Sequence, residues 1–148
     1  MKGSSHKSLG ILAAIAVIGV LLIAGCSRGN TAPQATGPGI HNIPPQEAFN
    51  LIQANKASAD FVIIDDRPSW QFELGHIEGA TNIYLNIKDT APFREKINAL
   101  DKNKTYLTYC PDGCGAAARI MSESGFKTIY DISGGYNRWL KEDLPVVK

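Results

Sequence analysis

Cysteine is scarce in this chain: there are three in 148 residues, at positions 26, 110 and 114. That is too few for a disulfide-stapled scaffold, so the fold has to rest on a packed core. Basic runs are missing too. Lysines and arginines number 15 against 14 aspartates and glutamates, a net charge of +1, and the two signs are mixed along the chain. No stretch has the cation density that follows a phosphate backbone, so nucleic acid is not an expected partner. No internal repeat is visible. The length fits one ordinary domain with something left over.

The surplus lies at the start. Lys2, His6 and Lys7 precede the apolar run "LGILAAIAVIGVLLIAG", which stops at Cys26. A positive start followed by a hydrophobic core is the layout of an export signal. The segment "LIAGC", Leu22 to Cys26, resembles the lipobox of bacterial lipoproteins, with the small residues Ala24 and Gly25 directly before a cysteine. That resemblance implies cleavage before Cys26, lipids on its sulfur and amino group, and a stable membrane anchor, since several acyl chains hold where one holds only marginally. An uncleaved transmembrane anchor would give a similar topology. The expected location is a membrane-anchored domain outside the cytoplasm, on the periplasmic or extracellular face. Removing residues 1–25 takes Lys2 and Lys7 from the 15 basic residues and nothing from the 14 acids, leaving a net charge of −1.

Beyond Cys26, "SRGNTAPQATGPG" contains no aliphatic residue larger than alanine. It cannot bury a core and reads as a flexible tether. The expected organisation is therefore a leader over 1–25, a lipidated cysteine and linker over 26–39, and a folded domain over 40–148.

Within the domain, apolar strands alternate with amphipathic helices. "PPQEAFNLIQAN" reads as a helix opened by proline. "FVIID", Phe61 to Asp65, is a continuous apolar run, as a strand buried on both faces would be. "PSWQFEL" reads as a short helix and "TNIY" as a short strand. "APFREKINAL" places Phe93, Ile97 and Leu100 on one helical face. "TYLTY" is a strand, Gly115 to Ser124 a helix, "KTIYDI" a strand, and "YNRWLKED" a closing helix after the turn at Gly134 and Gly135. This alternation predicts an α/β domain with a mainly parallel sheet, in which ligands gather at the carboxyl ends of the strands.

Cys110 sits at such an end, directly after "TYLTY" and before a helix. A helix start offers free N–H groups and the positive end of a dipole, and both favour a thiolate. The polar turn Pro111, Asp112, Gly113 argues against burial, so the pattern predicts a reactive thiol rather than an inert core cysteine.

From about Ile43 to Val146 the chain resembles a single rhodanese domain. "IDDRPSWQFELGHIEGATNI" is similar to the family's Asp-x-Arg, an aromatic, then Gly-His-Ile-x-Gly-Ala-x-Asn-Ile, here Asp65, Arg67, Phe72, Gly75, His76, Ile77, Gly79, Ala80, Asn82 and Ile83. "TYC" resembles the strand that leads to the family's catalytic cysteine, and "SGF", "IYDISGGYNRW" and "LPV" resemble its closing segments. The resemblance implies a three-layer α/β domain with a central five-stranded parallel sheet flanked by helices. It also implies a sulfurtransferase whose cysteine, Cys110, carries sulfane sulfur as a persulfide; no cofactor is expected. Asp65 and Arg67 are expected to pair and order the loop after their strand, and His76 to fix its turn by a hydrogen bond. Gly75, Gly79, Gly134 and Gly135 read as glycines of backbone conformation, and Trp70 and Trp139 as packing residues.

The active-site loop departs from the family. Its residues are Pro111, Asp112, Gly113, Cys114 and Gly115, and no Arg or Lys lies between Cys110 and Ala118. The family's loop often carries cations, and its arsenate reductases and phosphatases need a longer loop ending in Arg, so those activities are set aside. A dianion such as thiosulfate would meet Asp112, an acid, which predicts poor use of that donor and a raised thiol pKa. Cys114 has three readings: a resolving thiol that attacks a Cys110 persulfide, one half of a thiol–disulfide redox pair, or a small residue packed under the loop. Two thiols without a nearby His are half a tetrahedral metal set, which speaks against a metal. The sequence thus points to a membrane-anchored sulfur carrier acting with a small sulfur donor or acceptor or a thiol-bearing protein. A non-catalytic binding module and a thiol–disulfide oxidoreductase are the alternatives.

Overall fold

The computed structural model describes residues 38–148. The leader over 1–25, the lipidation candidate Cys26 and nearly all of the linker lie outside the described residues. Among the described residues no helix is long and apolar enough to cross a membrane.

In chain order the elements are β1 (Gly39–Ile43), α1 (Pro45–Asn55), β2 (Phe61–Asp65), α2 (Ser69–Leu74), β3 (Ala80–Asn82), α3 (Ala91–Asn98), β4 (Thr105–Tyr109), α4 (Ala116–Glu123), β5 (Thr128–Ile132) and α5 (Gly135–Lys141). The five strands form one sheet in the order β1-β5-β4-β2-β3, and every pairing is parallel. This is the α/β architecture that the alternating pattern and the rhodanese resemblance predict. β1, "GIHNI", is a strand that the apolar pattern does not predict. It is an edge strand that alternates in exposure and has Pro44 directly behind it, so it carries none of the continuous apolar signal of the central strands.

Alternation along each strand builds two cores. On one face Ile63, Leu107, Tyr109 and Ile132 meet Ala48, Leu51 and Ile52 of α1 and Trp139 of α5. On the other, Ile64, Tyr106 and Ile129 meet Phe93 and Ile97 of α3 and Ala117, Ala118 and Met121 of α4. A residue at a strand's carboxyl end is therefore committed by parity to the α1/α5 side or the α3/α4 side. β4 lies between β5 and β2, so Cys110 emerges with the ends of both neighbours beside it.

Candidate active site

β2 ends in acids, and parity separates them. Asp65 falls on the α1/α5 side, where it is fully buried and accepts hydrogen bonds from the Arg67 backbone N–H (2.9 Å), Nε (3.0 Å) and Nη2 (2.6 Å). Arg67, only 4% exposed, also donates from Nη2 to Gly75 O at 2.7 Å and lies over the Tyr136 ring with Cζ 3.6 Å from its centroid. Two buried charges thus hold one another, an aromatic face and a carbonyl. Asn82 ties the same strand end down by donating to Asp65 O and Arg67 O. Gly75 has an extended backbone; its requirement is space, since a Cβ there would sit 3.0 Å from Tyr136 Oη.

His76 fixes local structure. Its Nδ1–H faces Phe72 O at 3.1 Å, its ring stacks on Phe72, and its backbone bridges to Val147.

The cysteine loop is clamped by α5. Tyr136 N–H donates to Cys110 O and Asn137 N–H to Pro111 O, both at 2.9 Å, which satisfies two of the first-turn amides of that helix. The Asn137 side chain donates to Asp112 Oδ1 at 2.7 Å. The fit is backbone against backbone: a Cβ on Gly113 would lie 2.3 Å from Gly134 N, and one on Gly135 2.3 Å from Cys110 O. Asp112 is exposed, so its charge faces solvent and Asn137, where water and salt screen it. Gly115 caps α4 in the left-handed region with φ of 61°.

Cys110 is buried at 3% exposure, against the expectation drawn from its polar turn; the Gly134–Gly135 turn packs on the backbone of its loop, at Cys110 O and Gly113 N. Cys114 N–H donates to its Sγ at 2.8 Å, and Cys114 itself is exposed. Burial pushes the Cys110 thiol up to about 12, and the adjacent Cys114 side chain and the Asp66 charge add to the rise, while the Cys114 N–H opposes it. The helix start that favours a thiolate is present, but desolvation outweighs it. Arg119 Nη1 reaches back from α4 and donates to Cys114 O at 3.3 Å.

A cavity of about 420 Å³ lies beside the loop, lined by Arg67, Trp70, Leu74, Pro111, Tyr136 and Leu140 among others. Cys110 does not line it, since parity sends the thiol to the α3/α4 side. Trp70 corrects an expectation: it is 60% exposed on the cavity wall and is not a packing residue, because α2 buries no side chain. Trp139 is buried at 1%.

Asp66 belongs to none of the motif positions, yet it is 5% exposed and its charge bears on Cys110. Burial first, then the charges of Asp65 and Asp131, push its carboxyl up to about 8 against the opposing pull of Arg67. The available signal was the doubled acid at the end of an apolar strand. Among the described residues no group of three or more His, Cys, Asp or Glu is placed to hold a metal ion.

Fold and site together define a parallel α/β domain with a cysteine at a strand–loop–helix junction. The chain belongs to the rhodanese-like family: residues 45–142 match the Rhodanese-like domain. It is 31% identical over 113 residues to a tRNA uridine(34) hydroxylase of Pseudarthrobacter chlorophenolicus, covering 70% of this chain and 36% of that protein. It is 36% identical over 88 residues to the protein of the same name in Cytophaga hutchinsonii, covering 56% of this chain and 27% of that one. The chain thus spans about a third of these curated relatives or less. A rhodanese-related protein from Thermoplasma volcanium superposes with a TM-score of 0.60 at 28% identity, over 72% of this chain and 97% of that one.

Proposed function

We propose that the domain is a sulfur carrier in which Cys110 takes up sulfane sulfur as a persulfide and Cys114 helps discharge it. The observation that carries this reading is the 2.8 Å hydrogen bond from Cys114 N–H to Cys110 Sγ at the start of α4. A persulfide on Cys110 would bear negative charge where that amide and the positive end of the helix favour it. In the loading step Cys110 sulfur attacks the outer sulfur of a donor R–S–S⁻. A new S–S bond forms, the donor's S–S bond breaks, and the thiol proton of Cys110 ends on R–S. In the discharge step Cys114 sulfur attacks the Cys110 sulfur. Sulfide leaves with a proton, and a Cys110–Cys114 disulfide remains for a thiol reductant to reopen. The adjacency of the two thiols also favours a second reading, a thiol–disulfide couple without sulfane sulfur. The hydroxylase relatives share only this domain over a minority of their length, and the reading concerns that shared domain.

Intact mass separates the two readings. After incubation with a persulfide donor, the reduced protein is expected to gain one sulfur that reductant removes. Cys110→Ser should gain none, and Cys114→Ser should load but hold its sulfur at least several-fold longer. Equal loading of the Cys110→Ser variant, or none in the unsubstituted protein, overturns the carrier reading.

We further propose that Cys26 anchors the domain to a membrane, on the strength of "LIAGC". The full chain expressed in a bacterium should partition into the detergent phase and label with a fatty-acid analogue, and Cys26→Ser should lose the label. A Ser variant labelled as strongly as the parent rules the anchor out.

A further inference from the structure

This inference rests on the sulfur-carrying reading of Cys110 and concerns Asp66. The β2–β4 ladder pairs Asp65 with Tyr109, and Asp66 N–H continues it by donating to Tyr109 O at 3.1 Å, which brings Asp66 beside Cys110. Neighbours across a parallel ladder share a face. Thr108 and Asp131 mark that face on the α3/α4 side, with Thr108 Oγ1 donating to Asp131 Oδ1 at 3.0 Å. Cys110, two residues past Thr108, is on the same side. Asp66, Cys110 and Asp131 therefore gather beneath the loop and the first turn of α4.

The other charged groups there are committed. Asp131 has the Thr108 hydroxyl and the nearby charge of Arg119, whose Nη1 is on Cys114 O. Arg67 is spent on Asp65, Gly75 O and the Tyr136 ring. Asp66 differs: it is 5% exposed, its closest charges are the acids Asp65 and Asp131, and the one cation that bears on it, Arg67, is committed to Asp65. Burial among acids makes this carboxyl resist ionising, so near neutral pH it is mostly protonated, with a carboxylate fraction that grows as pH rises toward 8.

We propose that Asp66 is the proton partner of Cys110: its carboxylate accepts the thiol proton as Cys110 attacks a sulfane donor, and its carboxyl gives a proton to Cys110 sulfur when the sulfane sulfur passes to an outside thiol. In loading, the S–H bond of Cys110 breaks as its S–S bond forms. The proton goes to the Asp66 carboxylate and then through solvent to the departing R–S⁻. In transfer to an outside thiol R′–SH, its proton passes through solvent to the Asp66 carboxylate as R′–S bonds to the outer sulfur; the Cys110 S–S bond breaks, the acceptor leaves as R′–S–S⁻, and the Cys110 thiolate takes the proton from the Asp66 carboxyl. No oxidant is needed, because sulfane sulfur only changes partner. The match of acidities supports the pairing: the thiol sits near 12, out of reach of an ordinary carboxylate, whereas a carboxyl near 8 is a far better base and is populated on both sides of neutrality.

The test uses the full domain carrying Cys114→Ser, so that a single thiol is read. Alkylation of Cys110 by iodoacetamide is followed by mass from pH 6 to 10. The parent should show a step near pH 8, and the near-isosteric Asp66→Asn should lack it, with alkylation at pH 8.5 slowed roughly tenfold or more, the low end of what a positioned base contributes. Asp66→Glu should restore a step. In the unsubstituted protein, the Asp66 carboxyl carbon and the Cys110 β-carbon should share that titration step by NMR. Superimposable profiles for Asp and Asn, or independent NMR titrations, overturn the proposal. Neither readout uses a sulfur donor. Failed loading with the step intact sinks the carrier reading alone, and intact loading without the step sinks the role of Asp66 alone.

Discussion

Gly135→Ala is expected to cost about 2–5 kcal/mol and to uncover the Cys110 thiol. Two effects add. Gly135 has φ of 57°, where an L side chain costs roughly 1–2 kcal/mol. The added methyl would also stand 2.3 Å from Cys110 O, 2.5 Å from Gly113 N and 2.8 Å from Asp112 N. These are backbone atoms of a loop already clamped by Tyr136 N–H and Asn137 N–H, so no side chain can swing aside. Overpacking of this kind costs about 1–3 kcal/mol. Gly79→Ala is the control. It shares the positive φ, 81°, but its Cβ would meet only Ile63 Cδ1 at 4.0 Å, an ordinary contact. Chemical denaturation should therefore separate the two variants by the contact contribution, and Cys110 should alkylate faster in Gly135→Ala than in the parent. Equal destabilisation of both variants, with Cys110 unchanged, would mean that the Gly134–Gly135 turn does not hold the loop.

The layers of this fold were legible because its central strands are apolar throughout and its helices carry one-sided patterns. β1 was not, since an edge strand needs few apolar residues and "GIHNI" alternates weakly. At the site, the sequence placed Cys110 at a strand end and paired Asp65 with Arg67. It could not show the thiol buried, because the loop is held by Gly134 and Gly135, more than twenty residues away, through backbone contacts that depend on the exact seating of α5. Trp70 was misread for a related reason: helical periodicity says that α2 is a helix but not that it lies outside the core, with no residue buried. Asp66 was in plain view as half of a doubled acid. What hid it was strand parity, which hands Asp65 to Arg67 and leaves Asp66 on the opposite face with Cys110. Parity becomes informative only once the helices on each face are known.

Removing either partner of the Asp65–Arg67 pair is expected to cost about 3–5 kcal/mol, the range for stranding a buried charge. In Arg67→Met, Asp65 keeps the residue 67 backbone N–H but loses the Nε and Nη2 donors while remaining fully buried. In Asp65→Asn, Arg67 keeps Gly75 O and the Tyr136 face but has no countercharge at hydrogen-bonding distance among the described residues. For a domain of this size such losses should lower Tm by about 10 °C or more. The double variant, with neither charge, should lose less than the sum of the singles by about 1–3 kcal/mol, the coupling expected of residues in one network. The effect should reach the site, because Tyr136 touches both ends: its ring lies over the Arg67 guanidinium and its N–H holds Cys110 O. Loosening that ring frees the start of α5, so Cys110 should become more accessible to alkylation in Arg67→Met than in the parent, measured under conditions where both are fully folded. Additive losses with an unaltered Cys110 would show that the ion pair stabilises the fold without positioning the loop.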